Sequence, residues 1–449
     1  MNSHKSAPST PDRPAFANPY IQVVALVASM ALIALGNGLM ATYVPIRLNA
    51  AGEAQGAVGF VVTAYAGGML LGCLFSGLLV RRSGHVRAFA ALAALGTISA
   101  LLLAVDVGLA NWAILRIVGG FCTTGMFMVS QSWLNAVTQS AWRGRVMAVF
   151  YISYTLGLGG GALIMGQVAL EGTSAVMILA GLYAAAVIPI GLTRLAQPTP
   201  PQRILVRPLA VYRISPVGLA GAFVSGGLGM TMMGVGPMYG TAIGLEPAAI
   251  ALLIASLQGG NLLIQWPLGA LSDRIDRRLV ILIAALGVVG LSLAVALGGE
   301  GLALKAFWLL LVLFALWGGL AESLYTIATA HTNDHTDADD HVMVSSTILI
   351  VWASGATVGP AIATLALDQG GTLGLWAFFF GEAALFAGFV VWRRTRREQP
   401  TDASQEPFIS WPAYAPPIPE WQPYAPENLA RSGEDVGGGC DEIESVKKP

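Results

Sequence analysis

Long apolar runs fill most of the chain between residues 21 and 392, separated by short segments rich in charged and turn-forming residues. Each run has about 18 to 25 residues, enough to cross roughly 30 Å of hydrocarbon as an α-helix. The runs are continuous and lack the alternation of an outer-membrane barrel, so strands are not expected. The pattern predicts an all-α integral membrane protein with twelve transmembrane helices, at 21–43, 56–80, 88–106, 112–136, 145–169, 173–194, 216–241, 247–271, 279–298, 304–330, 342–367 and 371–392.

The composition supports this prediction. Apolar residues make up 55% of the 449 positions and charged residues 11%, whereas soluble domains carry about 25% charged residues. A net charge of −1 argues against a nucleic-acid partner, which would require a basic face. Three isolated cysteines indicate neither a disulfide framework nor a metal site. The lipid bilayer is therefore the expected surrounding of the chain.

The basic residues indicate the orientation. If the N-terminus is cytoplasmic, the outer loops hold only Arg47 and Lys305 among the basic residues, while the inner segments include the cluster 393–397. Cytoplasmic loops carry the excess of Lys and Arg in membrane proteins. We therefore expect a multi-pass protein of the plasma (inner) membrane with both termini cytoplasmic.

Pro-rich polar segments mark the expected boundaries. The apolar run after the polar start is too long for a signal-peptide core, so it is expected to stay as a helix. A polar, Pro-rich and basic segment predicts a linker. A segment dominated by Pro, Gly and acidic residues, without a helical period, predicts a disordered tail. The expected units are a cytoplasmic N-terminal segment at 1–19, a six-helix bundle at 20–194, a cytoplasmic linker at 195–215, a second six-helix bundle at 216–395 and a disordered cytoplasmic tail at 396–449.

An internal repeat relates the two bundles. With a shift of 192 residues, AGGMLLGCLFSGLLVRR (66–82) aligns with QGGNLLIQWPLGALSDR (258–274). At nearly the same shift, Gln131-Ser-Trp-Leu aligns with Glu322-Ser-Leu-Tyr. The shift spans an even number of helices, so both halves have the same topology. Parallel repeats of this kind place a substrate site between the halves, near the membrane midplane.

These motifs resemble the major facilitator superfamily over about residues 20–395. GALSDRIDRR (269–278) fits the family signature of a helix 8–9 turn, and GLLVRRSGHVR (77–87) fits the helix 2–3 turn in part, with Arg81 where the family has Asp. Arg116-x-x-x-Gly120 on helix 4 matches a further family motif. SQSWLNA (130–136) resembles a bacterial subgroup that reads Glu-Ser-Trp-Leu-Asn, with Gln131 at the Glu position.

The resemblance implies a twelve-helix transporter that works by alternating access, and not an enzyme. The leading hypothesis is proton-coupled uptake or efflux of a small organic molecule by a monomer. An uncoupled facilitator is the alternative, and a membrane receptor or sensor on a transporter scaffold is a second one of a different class. The chain has no GxxxxGK[ST] loop, so no nucleotide or other cofactor is expected.

Ionisable residues inside the spans are candidates for coupling, because burying a charge in hydrocarbon costs several kcal/mol. Glu322 on helix 10 is expected to pair with a cationic substrate or to exchange a proton, and the alternative is a permanently protonated structural acid. Glu382 on helix 12 is expected to be structural, and Arg116 either snorkels to the interface or acts on an anion or a proton. Polar groups on the same helices either contact substrate or hold helices together. They are Asn37, Gln131, Trp133, Asn135, Gln258, Asn261, Gln265 and Tyr325.

The inner turns are expected to form gates. Arg81 or Arg82 is predicted to pair with acidic residues at the start of helix 11, a latch of reversed polarity, and Asp273 is predicted to face Arg143 or Arg145. Helix capping by the aspartates is the alternative. The gating candidates are Gly77, Arg81, Arg82, Gly84, Arg143, Arg145, Gly269, Asp273, Arg274, Arg277, Arg278, Asp337, Asp339 and Asp340.

Two further motifs have ordinary explanations. The loop 331–341 holds three of the five histidines and four aspartates, which suggests a solvated gate loop rather than a metal site, since the spacing matches no ligand pattern. GLGGGA (157–162) looks like a dinucleotide-binding loop, but lies inside a span, where small residues allow close helix packing.

Overall fold

The computed structural model describes residues 19–105, 108–138, 140–192, 206–336 and 340–396. The predictions for 1–18, for most of the linker and for the tail beyond 396 fall outside these ranges. The helices are α1 (Pro19–Ala50), α2 (Gln55–Ser83), α3 (His85–Leu102), α4 (Leu109–Val137), α5 (Ser140–Met165), α6 (Ser174–Ala185), α7 (Val187–Leu192), α8 (Pro208–Ile214), α9 (Pro216–Ala242), α10 (Pro247–Ser272), α11 (Arg277–Lys305), α12 (Phe307–Asn333) and α13 (His341–Arg394).

The twelve-helix prediction is confirmed. In the described part of the chain, eleven helical stretches are long and apolar enough to cross a membrane, and the last of them has 52 residues. Its backbone breaks at Gly371, where φ is 59° and ψ is −150°. Such a positive φ favours glycine because it has no Cβ. The break turns this stretch into two crossings, one on each side of residue 371.

The helix bounds differ from the sequence prediction at several places, among them the following three. Helix α1 runs to Ala50, seven residues beyond the predicted end at 43. The sixth span is divided into α6 and α7 at Ala186. The predicted linker contains the short helix α8, which starts at Pro208 and buries Val211. The buried Val211 side chain thus accompanies a helix within the linker, a segment whose prolines and arginines had predicted an irregular structure.

Glycines bring neighbouring helices into close contact. A Cβ on Gly161 of α5 would overlap the backbone carbonyl of Leu35 in α1, which confirms the packing interpretation of GLGGGA. Gly68 of α2 faces the carbonyl of Ile117 in α4, and Gly260 of α10 faces that of Ala315 in α12. Gly68 and Gly260 are equivalent positions of the repeat, so the two halves pack their second and fourth helices in the same way.

The two halves touch at both ends of the bundle. At the end predicted to face outward, Gly59 of α2 lies against Thr364 of α13. Towards the opposite end, Cys73 of α2 belongs to a buried cluster with Val344 and Ile348 of α13. Helix α9 runs through the centre, and 22 of its 27 residues are buried. The space between the halves is therefore enclosed around α9.

Candidate functional site

A small cavity of about 40 Å³ lies between the halves. Helices α1, α2 and α5 line one side and α9 lines the other. Its walls are mostly apolar and aromatic, with few polar groups, as is usual for small-molecule sites. The lining residues are Asn37, Ala41, Tyr65, Met69, Tyr154, Leu158, Met230 and Met233.

Asn37 is the polar group of this cavity that the sequence had predicted. Its Oδ1 accepts hydrogen bonds from the Tyr183 hydroxyl at 2.9 Å and from Thr123 Oγ1 at 3.2 Å. The side chain of Asn37 also interacts with the Tyr154 hydroxyl, another polar group of the cavity wall. These contacts fix the amide at the cavity, where it can exchange a hydrogen bond with a solute.

Glu322 lines a second, smaller cavity next to the first. The residue is 5% exposed, and its carboxylate lies against Gly229 of α9, where any side chain would displace it. Met233 lines both cavities and is the wall between them. The smaller cavity is lined by Gly229, Met232, Met233, Leu257, Gln258, Trp317, Gly318, Ala321 and Glu322.

A weak hydrogen bond connects the Met233 side chain to α10. Gln258 Nε2 of α10 donates to the sulfur of Met233 at 3.0 Å. Thioether sulfur is a weak acceptor, and methionine has three rotatable bonds, so this wall is easily moved. Movement of Met233 would join the carboxyl of Glu322 to the central cavity.

Arg116 lies just behind the central cavity. Its guanidinium carbon is 4.0 Å from the centroid of the Tyr65 ring, and the residue is 8% exposed. Among the described residues Arg116 Nε has no hydrogen-bond partner. The expectation that Arg116 snorkels to the interface does not fit this burial, because a snorkelling guanidinium would reach water. The cation–π contact instead places a positive charge behind a ring that lines the cavity.

Several predicted site residues have partners within the protein. Gln131 donates to the Tyr151 hydroxyl of α5, and Gln265 donates to Thr326 Oγ1 at 2.6 Å. Trp133 is fully buried, with its ring centroid 6.0 Å from that of His85. These contacts join neighbouring helices. A substrate role for these three residues stays a prediction.

The other polar candidates are buried away from the lining of the two cavities. Tyr325 packs edge-on against Trp352, with centroids 6.3 Å apart. Neither amide atom of Asn135, nor Asn261 Oδ1, has a hydrogen-bond partner among the described residues. Glu382 lies against Gly227, two residues from the contact of Glu322 on the same helix. The two membrane acids therefore flank α9, and of these two Glu322 is the one that lines a described cavity.

The arginine-rich end of the second half holds a buried ion network. Arg277 is 2% exposed. Its Nε lies 3.0 Å from Asp334 of α12, and its Nη2 lies 3.5 Å from Asp273 at the end of α10. Asp273 is thus beside Arg277, while the predicted pairing with Arg143 or Arg145 stays a prediction. A carboxylate from the next helix reaches this arginine, a contact that sequence spacing alone did not indicate.

The equivalent turn of the first half differs. Arg81 and Arg82 are exposed, and Gly84 has a φ of 80° between α2 and α3. Asp340 occupies the N-cap position of α13, but its side chain makes no capping hydrogen bond. Among the described residues the structure records no ion pair of Arg81 or Arg82 with it. Asp337 and Asp339 lie outside the described residues, so the latch stays a prediction.

Sequence reasoning missed much of the cavity wall. Tyr65, Tyr154, Met230 and Met233 line it, yet aromatic residues and methionines inside a span resemble any lipid-facing residue. The sequence GMTMMGVGPM of α9 carried a usable signal. Glycines that allow close approach alternate there with methionines, which fill irregular gaps.

Comparison with known proteins agrees with the resemblance found in the sequence motifs. The sequence model of the Major Facilitator Superfamily matches residues 26–217 and 217–429. The uncharacterized MFS-type transporter YcaD of Salmonella enteritidis is 26% identical over 349 residues, which cover 77% of this chain and 89% of that protein. The YcaD protein of Salmonella newport matches to the same extent.

Solved structures show the same fold. The nucleoside transporter NupG superposes with a TM-score of 0.68 at 14% identity, covering 85% of this chain and all of that one. The D-xylose-proton symporter superposes with a TM-score of 0.67 at 14% identity, covering 86% of this chain and 99% of the other. At such identities the likeness concerns the fold.

Proposed function

Because the chain belongs to the major facilitator superfamily, we propose that this membrane transporter moves a small organic molecule by proton-coupled alternating access. The proposal rests on Glu322, a buried carboxyl that lines a cavity directly beside the cavity between the halves. A carboxylate in that place is costly to keep charged, and protonation removes the cost. Its proton occupancy can therefore differ between the two facing states.

The two cavities have different proposed roles, one in binding the solute and the other in exchanging the proton. Asn37, Tyr65 and Tyr154 offer the solute hydrogen bonds and ring faces on the side of the first half. Glu322 supplies the titrating group on the side of the second half, behind Met233. Solute in the central cavity and a proton on Glu322 would favour the same rearrangement of the halves, which is the coupling that secondary transport requires.

The central cavity also limits the solute. Its wall combines two tyrosines and three methionines with the single amide of Asn37. Such a surface favours a molecule with a flat or flexible apolar part and one hydrogen-bond acceptor over a highly hydroxylated one. A melting-shift screen of purified protein, comparing nucleosides, pentoses and apolar amines, would identify a first ligand.

Flux measurements test the function. Protein in liposomes should accumulate that ligand when a pH gradient is imposed, and only equilibrate it without one. Equilibration unaffected by the gradient would instead support the uncoupled facilitator. Binding without any flux would support a receptor.

The proposed orientation has a separate test. Both termini are expected to be cytoplasmic in the inner membrane, because the basic segments lie beside the linker and after the last span. Reporter fusions at Gln202 and at Pro400, both outside the described residues, should then show cytoplasmic activity. An external signal at either site would overturn this orientation.

A further inference from the structure

The smaller cavity beside Glu322 is the repeat counterpart of part of the central cavity. With the shift of 192 residues, Asn37 of the central cavity corresponds to Gly229, and Tyr65 corresponds to Leu257. Gly229 and Leu257 both line the smaller cavity. The two cavities therefore occupy equivalent places in the two halves, and they differ in the side chains that surround them.

The glycine at position 229 leaves space next to Glu322. In the first half the side chain of Asn37 fills the equivalent place and is bonded to Tyr183 and Thr123. Gly229 has no side chain, and a Cβ there would lie 2.6 Å from Glu322 Oε1. The cavity at this place has a volume of about 10 Å³, which is about the space that one buried water molecule requires.

One acceptor in the lining of this cavity has no donor from the protein. Gln258 is 4% exposed, and its Nε2 donates to the sulfur of Met233, while its Oε1 has no hydrogen-bond partner among the described residues. Trp317 also lines the cavity, but its Nε1 donates to Ser292 Oγ at 2.9 Å, outside the lining. A buried acceptor without a donor is costly, and a bound water can supply that donor.

Size and chemistry together identify a ligand for this cavity. We propose, on the basis of the role proposed above for Glu322, that the smaller cavity binds one water molecule that carries the proton between Glu322 and the central cavity. Gln258 Oε1 accepts one O–H group of this water. The carboxyl of Glu322 donates to the water when protonated and accepts from it when ionised. Two polar partners of this kind are enough to hold a buried water.

Met233 controls the transfer in this arrangement. Its side chain lines both cavities, so its displacement exposes the bound water to the central cavity. The protonated carboxyl of Glu322 then gives its proton to the water, and the water releases one of its own protons to solvent in the central cavity. Glu322 is left as a carboxylate and the water is regenerated. Transfer through one water is an ordinary route for a positioned acid, and Gln258 is the positioning residue that orients this water.

Infrared difference spectroscopy of the full-length protein in liposomes tests this site. Spectra at acid pH minus spectra at neutral pH are recorded in ordinary water and in ¹⁸O-labelled water. The O–H stretch of a bound water moves to lower frequency with the label, whereas the N–H and O–H bands of the protein do not. The C=O band of the protonated Glu322 carboxyl is identified in the same spectra by its loss in Glu322→Gln.

Two variants and two matched controls locate the water. Gln258→Leu removes the acceptor, and Gly229→Ala adds a methyl group to a cavity with room for a single water. Gln265→Leu is the control for the first, because it removes an amide of the same helix that lines neither of the two cavities. Gly227→Ala is the control for the second, because it adds the same methyl group two residues away on α9.

We expect a band sensitive to ¹⁸O in the wild-type spectra, together with the Glu322 C=O band. Its intensity should fall about tenfold in Gln258→Leu, as for the loss of one hydrogen bond to the water, and by at least as much in Gly229→Ala. It should stay unchanged in both controls. If Gly229→Ala fails to fold, Gln258→Leu carries the test.

The outcomes against the bound water differ from those against the proposed function. A Glu322 C=O band without any band sensitive to ¹⁸O would overturn the water and leave Glu322 as the proton-exchanging group. Equal losses of the water band in Gln258→Leu and Gln265→Leu would also overturn the site. A spectrum in which Glu322→Gln removes no C=O band would contradict the proposed function itself, and the water relay with it.

Discussion

The turns that follow the second helix of each half occupy equivalent places in the repeat but are held together differently. In the second half Arg277 is buried between Asp334 and Asp273. The equivalent residue of the first half is His85, also buried, whose Nε2 lies 3.2 Å from Ser132 Oγ. One half thus uses a charged network where the other uses a histidine and a hydroxyl.

The same difference is found near the midplane. Glu322 of the second half aligns with Gln131 of the first, and Gly229 aligns with Asn37. The first half bonds its amides to tyrosines and a threonine, whereas the second half presents a carboxyl at a cavity. In the proposed mechanism the first half would supply the neutral amide and hydroxyl groups that recognise the solute, and the second half would supply the group that can change charge.

The largest expected effect is on folding of the second half. Asp334→Asn should lower the free energy of unfolding by about 3–5 kcal/mol, because it removes the nearer and more buried of the two carboxylates that face the buried Arg277. His85→Gln in the first half should cost only about 1 kcal/mol, the value of one neutral hydrogen bond. Denaturant titration in detergent measures both.

A second variant checks the cause of that loss. Combining Asp334→Asn with Arg277→Met removes the buried charge that lost its nearer partner, so much of the stability should return. If Asp334→Asn and His85→Gln lowered the free energy of unfolding equally, or if the double variant recovered no stability, the buried ion network would not stabilise its turn more than the neutral hydrogen bond stabilises the other.

The next effect concerns transport. Gly229→Ala would place a Cβ 2.6 Å from Glu322 Oε1 and so displace that carboxylate. Gly227→Ala is a matched control two residues away, since its Cβ would displace Glu382 instead. We expect about a tenfold loss of pH-driven accumulation in Gly229→Ala and a much smaller one in Gly227→Ala. Comparable losses in both would assign the effect to packing of α9.

The smallest effect concerns the predicted latch. Arg81 and Asp340 are both exposed, and exposed pairs contribute about 0–1 kcal/mol, enough to bias two states. Arg81→Asp alone should shift accessibility of a reporter cysteine toward the inward-facing state, and added Asp340→Arg should restore it. Merely additive defects in the double variant would mean that the two residues are not coupled.

Most of the fold could be predicted from the sequence, because the length of each apolar span and the internal repeat can be recognised along the chain without knowledge of distant contacts. The twelve crossings follow from apolar runs, and the equivalent packing of Gly68 and Gly260 follows from the repeat. Helix α8 was missed because burial of Val211 depends on contacts distant in the chain.

The site was predicted only in part, for a related reason. Glu322, Gln258 and Asn37 were identified because a polar group in a span is costly and therefore conspicuous. The sequence did not identify Tyr65, Tyr154 and Met233 as site residues. Whether an aromatic residue or a methionine lines the cavity depends on which side of its helix faces the cavity. The Asp334–Arg277 contact likewise joins two helices whose spacing the sequence does not give.

The central claim is that Glu322 couples a proton to the movement of solute. The most direct measurement compares wild type with Glu322→Gln in proteoliposomes, where glutamine keeps the shape and hydrogen bonding but cannot ionise. We expect the variant to lose pH-driven accumulation while solute counterflow at equal pH continues. Accumulation at the wild-type level in Glu322→Gln would contradict it and would move the role to Glu382 or to no residue at all.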